Sequence, residues 1–187
     1  MSVSKDDALS ALHDIESAKR RSQTLFGYGL ASPHLLLWGT LWIVAGLVGA
    51  LSPANTGIGW CAVDVVGVLG SGWLVARHSR RCGERGERVR LFRYVGSVAV
   101  LAAFVTLTLM VFAPASGDQV LMLFTLVVAA GHTIAGCWLG LRYAALGVAL
   151  AGLAVGVFVL APAYLSLIVP FAGGGVSIVA GLWMRRA

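Results

Sequence analysis

The chain alternates between long apolar runs and short polar or basic segments. Each run holds close to the ~20 residues that an α-helix needs to cross ~30 Å of hydrocarbon. The pattern predicts an all-α, polytopic membrane protein with six transmembrane helices, because only helices and closed barrels satisfy the backbone inside a bilayer. The predicted spans are 34–51, 58–76, 94–113, 119–141, 144–161 and 163–184.

Residues 4–26 follow a different pattern, in which apolar positions recur at helical spacing between charged faces. The segment predicts an amphipathic cytoplasmic helix that is too polar to insert. Gly27-Tyr28-Gly29 is expected to break this helix. Ser32 and Pro33 are expected to begin the first span, as its N-cap and its first helical residue. The apolar stripe of the N-terminal helix consists of Ala8, Ala11, Leu12, Ile15 and Ala18.

The N-terminal helix needs a surface to cover its stripe, because a helix buries its apolar face somewhere. The transmembrane bundle and a cytoplasmic protein partner are two such surfaces. An anionic bilayer surface is a third, since Lys19-Arg20-Arg21 lie beside the stripe. The chain therefore divides into a cytoplasmic helix with its linker, residues 1–32, and a transmembrane domain, residues 33–187.

Basic residues fall on one side of the predicted membrane. The N-terminal segment, the loop 77–93, Arg142 and Arg185-Arg186 carry every Lys and Arg, and the three other loops contain none. The positive-inside rule then places both termini in the cytoplasm, most simply at a bacterial inner membrane. The net charge of +6 has this topological origin, so no nucleic-acid partner is expected. The loop 77–93 is expected to contact anionic lipid.

Three predicted helices end alike at the cytoplasmic side, with a Trp followed about one turn later by an Arg. A Trp at headgroup depth beside a basic residue is an interfacial anchor. Its recurrence in alternate helices suggests three related hairpins, 1–2, 3–4 and 5–6, although any cytoplasmic helix end tends to collect these residues. The anchor residues are Trp73 and Arg77, Trp138 and Arg142, and Trp183 and Arg186.

Small residues recur at four-residue spacing within the apolar runs. Gly136 and Gly140 form one such pair, and Gly152 and Gly156 form another. Small residues at this spacing let transmembrane helices approach closely. The pairs predict tight packing within one chain or between the copies of a homo-oligomer.

Asp64 is the strongest candidate for a functional polar residue. It lies about six residues, roughly 9 Å at 1.5 Å per residue, below the outer edge of the second predicted span. An ionised carboxylate there costs several kcal/mol unless it is paired or faces water. Asp64 is therefore either a neutral acid hydrogen-bonded across helices or part of a water-filled path. Cys61, three residues earlier, gives too few ligands for a metal site.

Two histidines lie within the predicted spans. His132 is expected to be a neutral ring hydrogen-bonded to a facing helix. His34 is expected in the first turn of the first span, which puts the two rings roughly 15 Å apart in depth. Axial haem ligands need matched depth, so no haem, metal or other cofactor is predicted. The sequence also lacks H-E-x-x-H and a phosphate loop, which favours a non-enzymatic protein.

Three stretches carry a family likeness: Leu12-His13-Asp14-Ile15-Glu16, the start of the first span at 33–39, and the ending 173–186 with its three glycines and Trp183. Over most of its length the chain resembles a group of uncharacterised small bacterial membrane proteins. Its architecture is also similar to that of the HdeD-like acid-resistance membrane family. These resemblances imply six spans and repeated hairpins, and they imply no activity.

The sequence leaves three functions open. The leading hypothesis is a membrane scaffold, regulatory or envelope-stress accessory protein that acts through oligomer or partner contacts. The alternative is a small transporter or channel for a proton, an ion or a small solute, with Asp64 and His132 along the path. The third is a haem or metal-binding redox protein that uses His34 and His132.

Overall fold

The computed structural model describes residues 5–81, 87–113 and 116–186. Throughout these ranges the fold is a bundle of helices. Six helices are long and apolar enough to cross a membrane, which confirms the predicted number. Two short 3-10 helices, Pro53–Asn55 and Pro162–Tyr164, lie in the connections. The α-helices are α1 (Lys5–Leu51), α2 (Thr56–Arg81), α3 (Glu87–Phe112), α4 (Gly117–Leu139), α5 (Leu141–Leu160) and α6 (Leu165–Arg185).

Helix α1 is continuous, so the predicted break at Gly27-Tyr28-Gly29 and the predicted start at Ser32 are wrong. Its apolar part begins at Thr24 rather than at residue 34. Pro33 lies inside the helix and removes one backbone donor. Membrane bundles tolerate this because neighbouring helices support the interrupted backbone. Ser32 is correspondingly buried at 3% exposure, against Gly181 of α6.

The earlier start of the apolar part of α1 also changes the expected depth of His34. This residue lies ten positions into the apolar part of α1, counted from Thr24, and not in its first turn. His132 lies seven positions from Leu139, the last residue of α4. The depth difference between the two histidines is therefore about 5 Å at 1.5 Å per residue. The expected difference of roughly 15 Å is wrong.

Helix α1 organises the bundle. It packs most extensively along α6, and it also packs on α2 and on α4. Helix α4 packs mainly on α5, and α3 packs mainly on α2, to a smaller extent. The most extensive pairs, α1 with α6 and α4 with α5, are not predicted hairpins, whereas the predicted pairs α1 with α2 and α5 with α6 also pack together. The predicted pair of α3 and α4 forms no extensive contact among the described residues.

Glycines set the close approach of α1 and α6. A Cβ atom added to Gly39 would lie 2.7 Å from the carbonyl oxygen of Gly174, and one added to Gly174 would lie 2.6 Å from the carbonyl oxygen of Gly39. Further along, a Cβ on Gly46 would lie 2.9 Å from the Pro170 side chain. The two backbones are therefore in direct contact, which only glycine permits.

The predicted glycine pairs have different roles. Gly136 faces Ala144 of α5, where an added Cβ would lie 2.5 Å from the Ala144 Cβ. Gly140 lies between α4 and α5 rather than on a helix face. Gly152 and Gly156 have no heavy atom within 4 Å of an added Cβ. The first pair thus packs within the chain, and the second faces open space.

Helix α3 is the most exposed of the six. Val105 is its only buried residue among those whose side chains are described. Apolar side chains point outwards along most of its length, as in Val100, Phe104 and Met110. In a bilayer such faces contact lipid, since lipid tails are as apolar as these side chains.

Candidate functional site

One end of the bundle gathers the basic helix ends. Phe26 of α1 contacts His78 of α2, with ring centroids 5.4 Å apart. The main-chain N–H of Arg142, at the start of α5, donates to the Tyr28 hydroxyl at 3.4 Å. Arg142 also contacts Trp183, near the end of α6. We call this end, at which α2, α4 and α6 finish, the basic end of the bundle.

Arg142 bridges three helices there. Its Nη1 donates to the Trp183 carbonyl oxygen at 2.6 Å. Its guanidinium carbon lies 4.8 Å from the centre of the Trp183 ring and 5.3 Å from the centre of the Tyr28 ring. A cation at the last carbonyls of α6 is favoured by the helix dipole, and aromatic faces stabilise it further. Arg142 therefore joins helices in addition to marking the membrane boundary.

Two tyrosines complete this contact, and we refer to Tyr28, Gly140, Arg142, Tyr143 and Trp183 together as the basic-end clasp. The Tyr143 hydroxyl donates to the Gly27 carbonyl oxygen at 3.2 Å. The Tyr28 and Tyr143 ring centroids are 6.0 Å apart. Gly140 has φ +113°, and its open Cβ position faces the Tyr28 hydroxyl. The clasp fixes α1 to the α4–α5 junction and to α6.

His132 lies beside the clasp. Its Nδ1 lies 2.8 Å from the Val128 carbonyl oxygen in its own helix, so the predicted bond to a facing helix is wrong. A carbonyl only accepts, so Nδ1 carries the hydrogen. The imidazole stacks on the Tyr143 ring at 6.3 Å between centroids and 26° between planes. No hydrogen bond or ring contact joins His132 to His34 among the described residues.

A second polar position lies in the other half of the bundle, on α2. Asp64 is half-buried, and its side chain makes no hydrogen bond or ion pair with any other described residue. Trp60 lies one turn before it, and the Trp60 ring meets the Trp42 ring edge-on with centroids 6.1 Å apart. Trp38 donates from its indole nitrogen to the Ser71 hydroxyl at 3.0 Å. Asp64 thus lies on a helix that packs against two tryptophans of α1.

The predicted polar residues are not brought together. Asp64 is on α2, which packs on α1 and α3, whereas His132 is on α4, which packs on α5, α1 and α6. Cys61 is exposed. The described part of the chain contains no group of three His, Cys, Asp or Glu residues placed to hold a metal ion.

The predicted interface anchors differ from one another. Arg77 lies over the ring of Trp73 at 5.1 Å, as in an anchor pair. Trp138 is 77% exposed, while its predicted partner Arg142 belongs to the clasp. Arg186 is exposed, and Trp183 contacts Arg142 instead. The similar sequence endings therefore make three different contacts, and they give no support to a repeated hairpin.

Sequence reasoning missed several residues that complete the basic-end clasp and the surroundings of Asp64. Tyr28 was predicted to lie in a helix break. Tyr143 and Trp38 are uncharged, so neither stands out from the sequence as a functional residue. Their importance follows from contacts between distant segments, such as the bond from Tyr143 to Gly27. One signal was available for Gly140, since a Gly just past a helical run is typical of a helix end.

The described residues form six helices apolar enough to cross a membrane, which suggests a multi-pass membrane protein. No protein-family profile, functionally characterised protein or solved structure matches this chain.

Proposed function

We propose that this chain is a non-enzymatic scaffold of a bacterial inner membrane, with both termini in the cytoplasm, that self-associates through the N-terminal part of α1. A regulatory or envelope-stress accessory role would then depend on this assembly. The observation that supports the proposal is the continuity of α1, which joins the exposed stripe residues Ile15 and Ala18 to the most extensively packed helix pair.

The part of α1 before Thr24, which we call the α1 extension, is long enough to reach well beyond the bilayer. Residues 5–23 extend about 28 Å at 1.5 Å per residue. Ile15 is 64% exposed, and Ala18 and Ser22 are exposed with it. Apolar side chains outside the hydrocarbon face water, so covering them is favourable.

The stripe has the spacing of a coiled coil. Positions 8 and 15 alternate with positions 11 and 18 in steps of three and four residues, as a and d positions of a heptad do, and the next a position is the polar Ser22. Copies inserted in one membrane with one topology present these helices in parallel. In that arrangement position 14 of one copy faces position 19 of the other, and the sequence has Asp and Lys there. The heptad spacing and the opposite charges at positions 14 and 19 therefore both favour a second copy of this chain as the partner of the α1 extension.

Because α1 is continuous, the bilayer surface is a less favourable partner for the apolar stripe than a second copy. A helix that leaves the membrane without a break projects from it, whereas an interfacial helix lies in the plane of the headgroups. A cytoplasmic protein that binds residues 4–26 is the alternative partner for the stripe, and cross-linking distinguishes it from a second copy. The predicted lipid contact of the loop 77–93 falls partly on 82–86, which lie outside the described residues.

Ile15→Cys in a chain whose native cysteines are replaced by serine is expected to form a disulfide-linked dimer in membranes under mild oxidation. Position 15 lies in the proposed seam, so two copies bring their Cβ atoms within disulfide reach. The measurement is the dimer fraction on a non-reducing gel. His13→Cys is the matched control, because His13 is exposed and lies on the opposite side of the helix.

The His13→Cys chain is expected to stay largely monomeric under the same oxidation. Equal dimer fractions for the two positions would contradict a specific seam. A monomeric Ile15→Cys chain that instead cross-links to a second protein would assign the stripe to a heterologous partner and overturn self-association.

A further inference from the structure

We propose that Asp64 and the tryptophans around it form an intramembrane binding site for an organic cation. The site lies between α1 and α2, in the half of the bundle away from the basic end. The site does not depend on self-association through the α1 extension.

Helix geometry puts Asp64 on the side of α2 that faces α1. Asp64 and Ser71 are seven residues apart, which places them within about 20° around the helix axis. Ser71 is buried and accepts the hydrogen bond from Trp38 of α1. Gly67, one turn after Asp64, has the Trp38 ring against its open Cβ position. The Asp64 carboxyl group therefore lies beside the α1–α2 contact and not on the lipid-facing side of α2.

Two indole rings flank the acid along α2. Trp60 lies one turn before Asp64, and residues four apart are neighbours on a helix surface. The Trp38 ring lies one turn after it, over Gly67. Trp42 supports the Trp60 ring from α1 through their edge-on contact. A carboxylate one helical turn from tryptophan rings is a favourable place for a positive charge, because ring faces attract cations.

The two helices that form the site bring no basic residue close to Asp64. The apolar part of α1, from Thr24 to Leu51, contains no Lys or Arg, and α2 contains none before Arg77. Asp64 is half-buried, so part of its surface is accessible. An ionised acid at this depth is costly unless a cation neutralises it. A bound cation would supply the missing charge.

The surroundings of Asp64 select the kind of cation. Calcium and magnesium require about six oxygen ligands, and no metal-binding group of three acidic, His or Cys residues occurs in the described ranges. Indole faces instead suit a monovalent cation with a large apolar body, such as a quaternary ammonium or phosphonium ion. The ligand class is therefore a lipophilic organic monocation.

Tetraphenylphosphonium is the probe for this site. Calorimetric titration of the full chain in detergent is expected to show saturable binding, which Asp64→Asn weakens by about tenfold or more because the charge pair is lost. Asp64→Glu is expected to retain binding. Asp118→Asn is the matched control, since Asp118 is an exposed acid in the first turn of α4.

A second variant and a second probe keep the test decisive. Trp60→Leu retains an apolar side chain and is expected to weaken binding several-fold, while circular dichroism checks that each variant keeps its helices. Tetraphenylborate, an anion of nearly the same size, is expected to bind no tighter to the original chain than to Asp64→Asn. Unchanged tetraphenylphosphonium affinity in Asp64→Asn, or the absence of saturable binding in the original chain, would overturn the site.

Discussion

Gly39→Leu is expected to lower the thermal midpoint of the solubilised chain by roughly 5–10 °C. The reason is the contact between Gly39 and the backbone of Gly174, where even a Cβ atom would lie 2.7 Å from a carbonyl oxygen. Overfilling a packed site usually costs about 1–3 kcal/mol. The nearest atom is main chain, and the next is Cγ1 of the β-branched Ile178 side chain at 2.8 Å, so we expect the cost at the upper end of that range or above it.

Gly152→Leu is the matched control for Gly39→Leu, because Gly152 has nothing within 4 Å of an added Cβ. The control is expected to change the midpoint by less than about 2 °C, as for substitutions away from packed sites. The measurement is fluorescence-detected size exclusion after heating at graded temperatures. Equal midpoints for the two leucine variants would contradict direct backbone contact between α1 and α6.

Gly140→Ala is expected to destabilise the chain by about 2–3 kcal/mol. Gly140 has φ +113° and ψ 162°, a region that is essentially restricted to glycine and costs roughly 1–3 kcal/mol for other residues. The new methyl group would also meet the Tyr28 hydroxyl, which accepts from the Arg142 N–H. Unfolding in a denaturing detergent, followed by circular dichroism, measures the loss.

Gly131→Ala is the control for Gly140→Ala, since Gly131 lies inside α4 with open space around it. There alanine is expected to be neutral or to stabilise by up to about 1 kcal/mol, from its better helix propensity. Adding Tyr28→Phe to Gly140→Ala should recover part of the loss, because it removes the oxygen that the methyl group meets. A Gly140→Ala chain as stable as Gly131→Ala would contradict the described turn between α4 and α5.

Local signals in the sequence predicted the number of apolar helices correctly, but they placed the start of the first one wrongly. Length and apolarity define a transmembrane helix within a single segment, so six were predicted, and the described residues contain six helices that could cross a membrane. The break at 27–29 was predicted from Gly and Pro, which disfavour helices in water. In the bundle Pro33 is tolerated, and Tyr28 is buried by its contacts with α5. Tertiary packing therefore overrides the local signal.

The Asp64 site and the basic-end clasp differ in how far the sequence predicts them. Asp64 stands out from the sequence because an acid is rare in an apolar run. Its neighbours do not, because the register between α1 and α2 brings Trp38 to Gly67, and register is not encoded in either helix alone. Arg142 was predicted as a membrane anchor on a local pattern. Its bond to the Trp183 carbonyl joins residues 41 positions apart, which no local pattern contains.

Self-association through the α1 extension is the central claim, and the mass of the intact assembly tests it most directly. Native mass spectrometry of the full chain, released from lipid nanodiscs, is predicted to give a dimer or a higher oligomer. Ile15→Glu, which puts a charge in the proposed seam, is predicted to give a monomer whose helix content by circular dichroism is unchanged. A monomeric original chain, or an Ile15→Glu chain of the same oligomeric mass as the original, would contradict the claim.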